Sequence, residues 1–148
     1  MTTEKALPFE SSLMFYKKLD QSYMKLCCDS VKEYELSSCQ VAIILFLVNN
    51  HPLDTAKDIT TYRGISKALV CKNVDSLINR GLLESFVDEK DKRYIHLRLS
   101  LSSREIVSRL TSTRDKFFES LLSSITEEEL ETMSIVKNKI RKNIDSLI

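Results

Sequence analysis

SKALVCKNVDSLINRGLLESFVDEKDKRYIHLRL, residues 66–99, is the segment from which most of the fold can be predicted. Ser66 can cap a helix, and Gly81 can end that helix in a left-handed turn. Two strand-like segments follow, residues 82–87 and 94–99, and the charged loop DEKDKR joins them. A helix followed by a hairpin with a charged loop is typical of a DNA-binding winged helix.

The helix after Ser66 has two different faces. Its apolar face comprises Val70, Val74, Leu77 and Ile78. Its opposite face is small and polar and comprises Ala68, Lys72, Ser76 and Asn79. In the second strand, alternation places Ile95, Leu97 and Leu99 on one side and Tyr94, His96 and Arg98 on the other. We therefore expect the polar helix face and the charged loop to be available for contacts.

The segments before residue 66 predict three further helices. The first lies between Pro8 and Val31, and an apolar second helix begins after Ser37 or Ser38. A short third helix, AKDITTYR, can be capped by Asp54 or Thr55 and ended by Gly64. The third helix and the one after Ser66 would then form a helix-turn-helix.

Two helices are predicted after residue 100, with a capping box formed by Thr126 and Glu129 at the start of the second. The last helix has an apolar stripe that extends to Leu147. Such a stripe indicates a partner subunit. The alternative is ordinary packing against the first helix of the same chain.

Composition limits the class of protein. The 148 residues are 43% hydrophobic and 29% charged, with only two Gly and two Pro, which predicts one helix-dominated globular domain. No apolar run approaches the roughly 20 residues of a membrane span, and no secretory signal is evident, so we expect a cytoplasmic protein without a membrane partner. Residues 57–98 carry nine Lys or Arg against six Asp or Glu, a modest basic bias.

Catalytic and metal motifs are not found in the sequence. The two histidines, His51 and His96, have no nucleophile arrangement near them in sequence, and no P-loop, G-x-G-x-x-G or H-E-x-x-H occurs. The four cysteines are unevenly spaced and include no C-x-x-C. We therefore expect no enzymatic activity, no cofactor and no metal site.

Four segments, in this order and spacing, resemble the MarR family of bacterial transcription regulators. They are ELSSCQ (35–40), GISKALVCKNVDSLINRGLL (64–83), DEKDKR (88–93) and LRLS (97–100). The resemblance extends over nearly the whole chain. It implies a mainly α fold with a small β-hairpin wing, in which residues 36–100 form a winged helix-turn-helix lobe and residues 1–35 and 101–148 form dimerisation helices.

The resemblance also implies a function. Family members are homodimers that bind palindromic operators in double-stranded DNA and usually repress nearby genes. Many release DNA when a small phenolic or lipophilic molecule binds, and others respond to cysteine oxidation. This chain departs from the family pattern at Arg63, where a Leu is usual, so that Tyr62 would take over the packing, and at Ala68 and Leu69, which replace a polar pair.

The recognition helix would contact base edges in the major groove. Ala68 and Leu69 cannot donate hydrogen bonds from their side chains, so we expect them to contact thymine methyl groups in an A·T-rich half-site. Lys72 would contact a guanine or a phosphate, and Ser66 would add a phosphate contact at the helix N-terminus. Lys67 is also expected among the DNA-binding residues of this helix. The structural alternatives are sideways packing of Leu69 and a solvated Lys72.

The wing would contact the minor groove through Arg93, because narrow A·T-rich grooves attract guanidinium groups. Asp91 can orient Arg93 by a charge-assisted hydrogen bond. Lys90 and Lys92 would contact phosphates. The structural alternative is a solvated, charged hairpin tip.

Two other functions stay open at the level of sequence. A regulator of the same class could sense oxidation through Cys27, Cys28 and Cys39, although reactivity needs an exposed, electropositive setting. A winged helix could also bind only protein. The identity of the effector, and with it the ligand-binding residues, cannot be assigned from the sequence.

Overall fold

The computed structural model describes residues 9–148, with side chains from residue 12 onward. The predicted start of the first helix at Pro8 lies outside the described residues. The helices are α1 (Phe9–Ser30), α2 (Ser38–Asn49), α3 (Ala56–Arg63), α4 (Lys67–Asn79), α5 (Arg104–Leu121) and α6 (Glu127–Leu147). The strands are β1 (Leu83–Val87) and β2 (Ile95–Leu99), and short 3-10 helices cover Lys32–Tyr34 and Leu101–Ser103. The mainly α fold with one hairpin is the predicted fold.

Three of the helices begin with a capping box, in which the first residue and the fourth satisfy each other's backbone amides. The pairs are Ser37 with Gln40 before α2, Thr55 with Asp58 before α3, and Thr126 with Glu129 before α6. Of the two candidates that the sequence offered for each of the first two caps, Ser37 and Thr55 are the ones used. Local sequence therefore fixes where these helices begin.

The described residues form two compact units, the first ending at Arg114 and the second comprising Asp115–Ile148. The core of the first unit is centred on α2, where every residue from Gln40 to Phe46 is buried, as expected for a helix that is apolar on nearly every side. Each neighbouring element contributes at least one buried side chain. These include Cys27, Ile59, Val70, Leu77, Leu83, Leu97, Ile106 and Leu110. Burying one such Leu or Ile stabilises the fold by about 1.5–3 kcal/mol, so α4 and the hairpin are held to α2 by packing.

The second unit contains the end of α5 and the whole of α6. Phe117 and Phe118 meet edge to face with their ring centroids 5.6 Å apart. No residue of α6 is buried, and its apolar stripe is about half exposed. The stripe comprises Met133, Val136, Ile140 and Ile144. Of residues 9–148, no helix is both long enough and apolar enough to cross a lipid bilayer.

Candidate nucleic-acid interface

The turn between α3 and α4 depends on a glycine. Gly64 has a φ of +64°, and its amide donates to the carbonyl of Thr60 at 3.1 Å, which ends α3. Most side chains are strained in this left-handed region, and glycine is not. Two residues later, the Ser66 hydroxyl accepts the amide of Leu69 at 3.3 Å and caps α4. The tight turn sets the direction in which α4 leaves the core.

Two side-chain hydrogen bonds join α4 to the start of α2. Gln40 donates from Nε2 to Ser76 Oγ at 3.0 Å, and the Ser37 hydroxyl donates to Asn73 Oδ1 at 3.3 Å. Ser76 was predicted on the outward face of the helix, but it is half-buried because Gln40 bonds to it. The same side chains that cap α2 therefore also fix the rotation of α4.

The end of α4 is a Schellman motif, which satisfies two carbonyls of the last turn. The amide of Gly81, which has a φ of +72°, donates to Ile78 O, and the amide of Leu82 donates to Leu77 O, both at 2.9 Å. Leu82 and Leu83 then enter the core. This motif places the first strand of the hairpin directly after the helix.

The outward face of α4's first two turns presents five predicted DNA-contact residues to solvent. All of Ser66, Lys67, Ala68, Leu69 and Lys72 are exposed. Leu69 keeps 45% of its surface accessible, so sideways packing does not bury it. In the described part of the chain, neither Lys67 nor Lys72 belongs to a salt bridge. We call these five residues the α4 contact face.

The hairpin pairs β1 with β2 antiparallel, from Leu83 opposite Leu99 to Val87 opposite Ile95. Leu83 and Leu97 are buried, as their strand alternation predicts. Ile95 was expected on the inward side, yet it is 55% exposed. It lies at the loop end of the hairpin, opposite the exposed Val87. Only the base of the hairpin covers the core, and the loop end extends beyond it.

The loop of the wing is organised by Asp88. Its Oδ1 accepts the amides of Lys90 and Asp91, each at 2.8 Å, while its own amide donates to Tyr94 O at 2.9 Å. The amide of Asp91, the His96 ring and the amide of Lys90 together lower the pKa of Asp88. One carboxylate therefore closes a six-residue connection that has no glycine.

Arg93 is held by Asp91 in a two-pronged ion pair. Nε donates to Oδ1 at 3.0 Å and one terminal nitrogen donates to Oδ2 at 2.8 Å, which is the orienting contact expected from the sequence. The contact lowers the pKa of Asp91 and raises that of Arg93. The Arg93 side chain is nevertheless 87% exposed. With the exposed Lys90 and Lys92, it makes a cationic wing tip.

His96 lies between two carboxylates at the base of the wing loop, an arrangement that the sequence did not reveal. Nδ1 is 2.6 Å from Asp54 Oδ1, and Nε2 is 2.9 Å from Asp88 Oδ2. The Phe86 ring stacks on the imidazole, with centroids 5.3 Å apart. Both carboxylates raise the pKa of His96, that of Asp54 most strongly. Even so, among the described residues no group of three or more His, Cys, Asp or Glu could hold a metal ion.

The family departure at Arg63 has a visible consequence. Arg63 donates to Asp20 Oδ1 of α1 at 3.1 Å, so a polar contact stands where a leucine would pack. The neighbouring Tyr62 ring stacks on Phe46 of α2, with centroids 6.4 Å apart. Tyr62 therefore makes a ring contact with α2, but it stays 66% exposed and does not replace a buried leucine.

Cys27, Cys28 and Cys39 are in settings that oppose thiolate formation. Cys27 is fully buried, and burial raises its pKa to about 11. Burial also raises the pKa of Cys28 and of Cys39. Since the thiolate is the reactive form, these settings count against oxidation sensing by the three residues.

Comparison with known proteins gives a consistent result. A sequence model of the MarR family matches residues 36–93, which span α2 to the wing tip. The chain is 21% identical over 133 residues to the HTH-type transcriptional regulator BilQ of Clostridium symbiosum (strain WAL-14163), a match that covers 90% of this chain and 92% of the relative.

Solved structures share the fold. A MarR-family transcriptional regulator from Silicibacter pomeroyi superposes with a TM-score of 0.71 at 18% identity, covering 92% of this chain and 90% of that one. The S. aureus MepR–DNA complex superposes with a TM-score of 0.63 at 18% identity, covering 88% and 96% of the two chains. At these identities the superpositions establish the fold.

Proposed function

We propose that the chain is a MarR-family transcriptional regulator, a homodimeric repressor that binds a palindromic operator in double-stranded DNA and is released by a small molecule. In the proposed complex, the α4 contact face enters the major groove and the wing tip reaches the adjacent minor groove. The MepR structure, determined with DNA, supports this mode of binding through its shared fold.

One observation carries the DNA-binding proposal: Arg93 is oriented by Asp91 yet remains exposed at the wing tip. An exposed arginine usually loses side-chain entropy when it binds, and part of that cost is avoided when a carboxylate already holds it. The neighbouring Lys90 and Lys92 add positive charge without a salt bridge in the described structure. A charged hairpin tip without a binding role would not require an oriented Arg93.

The dimer is supported by apolar surface that the described single chain leaves exposed. On α6 the stripe from Met133 to Ile144 is about half exposed, and on α1 Leu13, Phe15 and Tyr16 are each more than half exposed. Exposed apolar surface on two long helices is typical of an obligate interface. A dimer would also present two α4 contact faces, as a palindromic operator requires.

Release by a phenolic or lipophilic effector is proposed from the family and from one cleft. The cleft has a volume of about 260 Å³ and lies between the end of α2 and the wing. Its wall is mainly apolar, with Leu47, Leu53, Phe86, Leu97 and Leu99, and Arg98, His51 and Asp54 also line it. A small aromatic body with one polar group fits such a lining.

The test is binding to a DNA fragment from upstream of the chain's own gene, compared with a shuffled fragment of equal length. We expect the native fragment to bind more tightly, and a panel of phenols to reduce that binding. Equal binding to both fragments, or none to either, would exclude the operator-binding proposal, and a winged helix that binds only protein would then be the better account.

A further inference from the structure

We propose that His96 is a positioning residue for DNA binding: as an imidazolium it ties the wing loop to the loop before α3, and loss of its proton frees the wing loop, so that DNA affinity falls as the pH rises. The inference rests on the proposed function. It concerns the regulation of the same surface.

Two ring protons would satisfy the geometry around His96. A carboxylate accepts hydrogen bonds and does not donate them, and His96 faces one at each nitrogen, Asp54 at 2.6 Å and Asp88 at 2.9 Å. A neutral imidazole has a single N–H, so one of the two carboxylates would then face a lone pair. The protonated ring satisfies both.

The Asp88 contact is the one that breaks on deprotonation. Asp54 is held independently, because its carbonyl accepts the amide of Leu97 at 2.9 Å and the next residue, Thr55, bridges to His96 through the backbone. Asp88 belongs to the wing loop, where the same carboxylate accepts the amides of Lys90 and Asp91. Losing the ring proton therefore leaves β2 in place and loosens the loop that presents the wing-tip cations.

The remaining groups around the ring do not replace the proton. Phe86 of β1 stacks on the imidazole. The guanidinium of Arg98, in β2, lies 5.4 Å from the centroid of the Phe86 ring and pairs with Glu84. From the wing loop, Asp91 is paired with Arg93. From the start of α3, Asp58 accepts the amide and hydroxyl of Thr55. Among the described residues, the ring is thus paired with two carboxylates and with no cation.

The sign of the effect follows from these contacts. The pKa of His96 is raised in the folded protein by Asp54 and then Asp88, so the tie is complete at low pH and is lost as the pH rises through the folded pKa. The pKa values of Asp88 and Asp91 are lowered, so those carboxylates stay charged over the same range. Because its pKa is raised, His96 loses its charge above the ordinary histidine pKa.

The experiment measures the affinity for the upstream fragment by fluorescence anisotropy from about pH 6 to about pH 9 at constant ionic strength. Four proteins are compared: wild type, His96→Gln, Asp88→Asn and the control Glu119→Gln, which replaces an exposed carboxylate of α5. We expect wild type and Glu119→Gln to lose about fivefold or more in affinity as the pH rises, and the other two to show a flat profile. A wild-type pH profile in His96→Gln would overturn the proposal.

A second readout separates this inference from the proposed function. In a solution NMR titration without DNA, the His96 ring and the backbone amides of Lys90 and Asp91 should titrate together in wild type, and the two amides should not respond in His96→Gln. If the two amides do not titrate with the His96 ring in wild type, the inference is overturned even if the protein binds DNA. Coupled titration without binding to any fragment would instead count against operator binding.

Discussion

Asp91 and Arg93 are two residues apart in the wing loop and form a two-pronged ion pair, with Nε–Oδ1 at 3.0 Å and a terminal nitrogen to Oδ2 at 2.8 Å. The pair is exposed, so it contributes little to stability. The ion pair fixes the direction of the Arg93 guanidinium, although the Arg93 side chain is 87% exposed. The Asp91 carboxylate also reduces the net positive charge of the wing tip.

Asp91→Asn should weaken sequence discrimination while leaving or raising non-specific affinity. The substitution releases Arg93 from its orientation and adds one net positive charge beside the phosphates. We expect the ratio of operator to non-specific affinity to fall by roughly fivefold or more, within the range of one lost base-edge contact. Competition of labelled operator with unlabelled shuffled DNA measures the ratio, and an unchanged ratio would show that Asp91 does not orient the contact.

Leu69 should recognise thymine methyl groups. Replacing each thymine of a half-site by uracil removes only the methyl, whose burial contributes about 0.8 kcal/mol, or roughly fourfold in affinity for one contact. We expect wild type to bind the uracil site more weakly at one or more positions, and Leu69→Ala to lose that sensitivity. If every uracil site binds wild type as well as the thymine site does, the assignment of Leu69 and Ala68 to base contacts is wrong.

Gly81→Ala should destabilise the protein through backbone strain alone. The residue has a φ of +72°, and a Cβ placed there meets no atom within 4 Å, so no clash adds to the cost. The left-handed conformation costs a non-glycine residue about 1–2 kcal/mol. Urea unfolding at fixed protein concentration should show this loss, and Gly81→Asn a smaller one, because Asn tolerates the region better. Equal losses for both variants would point to another cause.

Ile140→Glu should break the homodimer. The residue lies in the apolar stripe of α6 and is 49% exposed in the single chain. A carboxylate in the middle of an apolar interface would be desolvated without a partner. Sedimentation velocity should show a dimer for wild type and for Asn138→Glu, which adds the same charge on the opposite face of α6, and a monomer for Ile140→Glu. A dimer in all three would place the interface elsewhere.

The helices could be predicted from sequence because their start and end signals are local. Ser37, Thr55, Ser66 and Thr126 each act within three residues of themselves, and Gly81 ends α4 through its own backbone. The family resemblance added the order of these elements and the expected roles of α4 and the wing. The contacts of individual residues with DNA remain predictions.

Contacts between distant segments could not be predicted in this way. His96 meets Asp54, 42 residues earlier, only because the strand returns beside the start of α3. Ser76 was placed outward by helical periodicity alone, yet it is half-buried and accepts a hydrogen bond from Gln40 of α2. Ile95 fits the strand alternation, yet it lies beyond the part of the hairpin that the core covers. Each difference arises from tertiary packing, which cannot be predicted from the periodicity of one segment.

The most direct test of the account is the salt dependence of binding to the upstream fragment for wild type, Arg93→Ala and Arg104→Ala. Arg104 is an exposed arginine that follows the end of β2 farthest from the wing loop, so it controls for the loss of one charge. We predict that Arg93→Ala loses about 1–3 kcal/mol of binding free energy and about one unit of the slope of log affinity against log salt, whereas Arg104→Ala matches wild type. Affinity that does not change with salt, or equal behaviour of the two variants, would contradict a DNA-binding wing centred on Arg93.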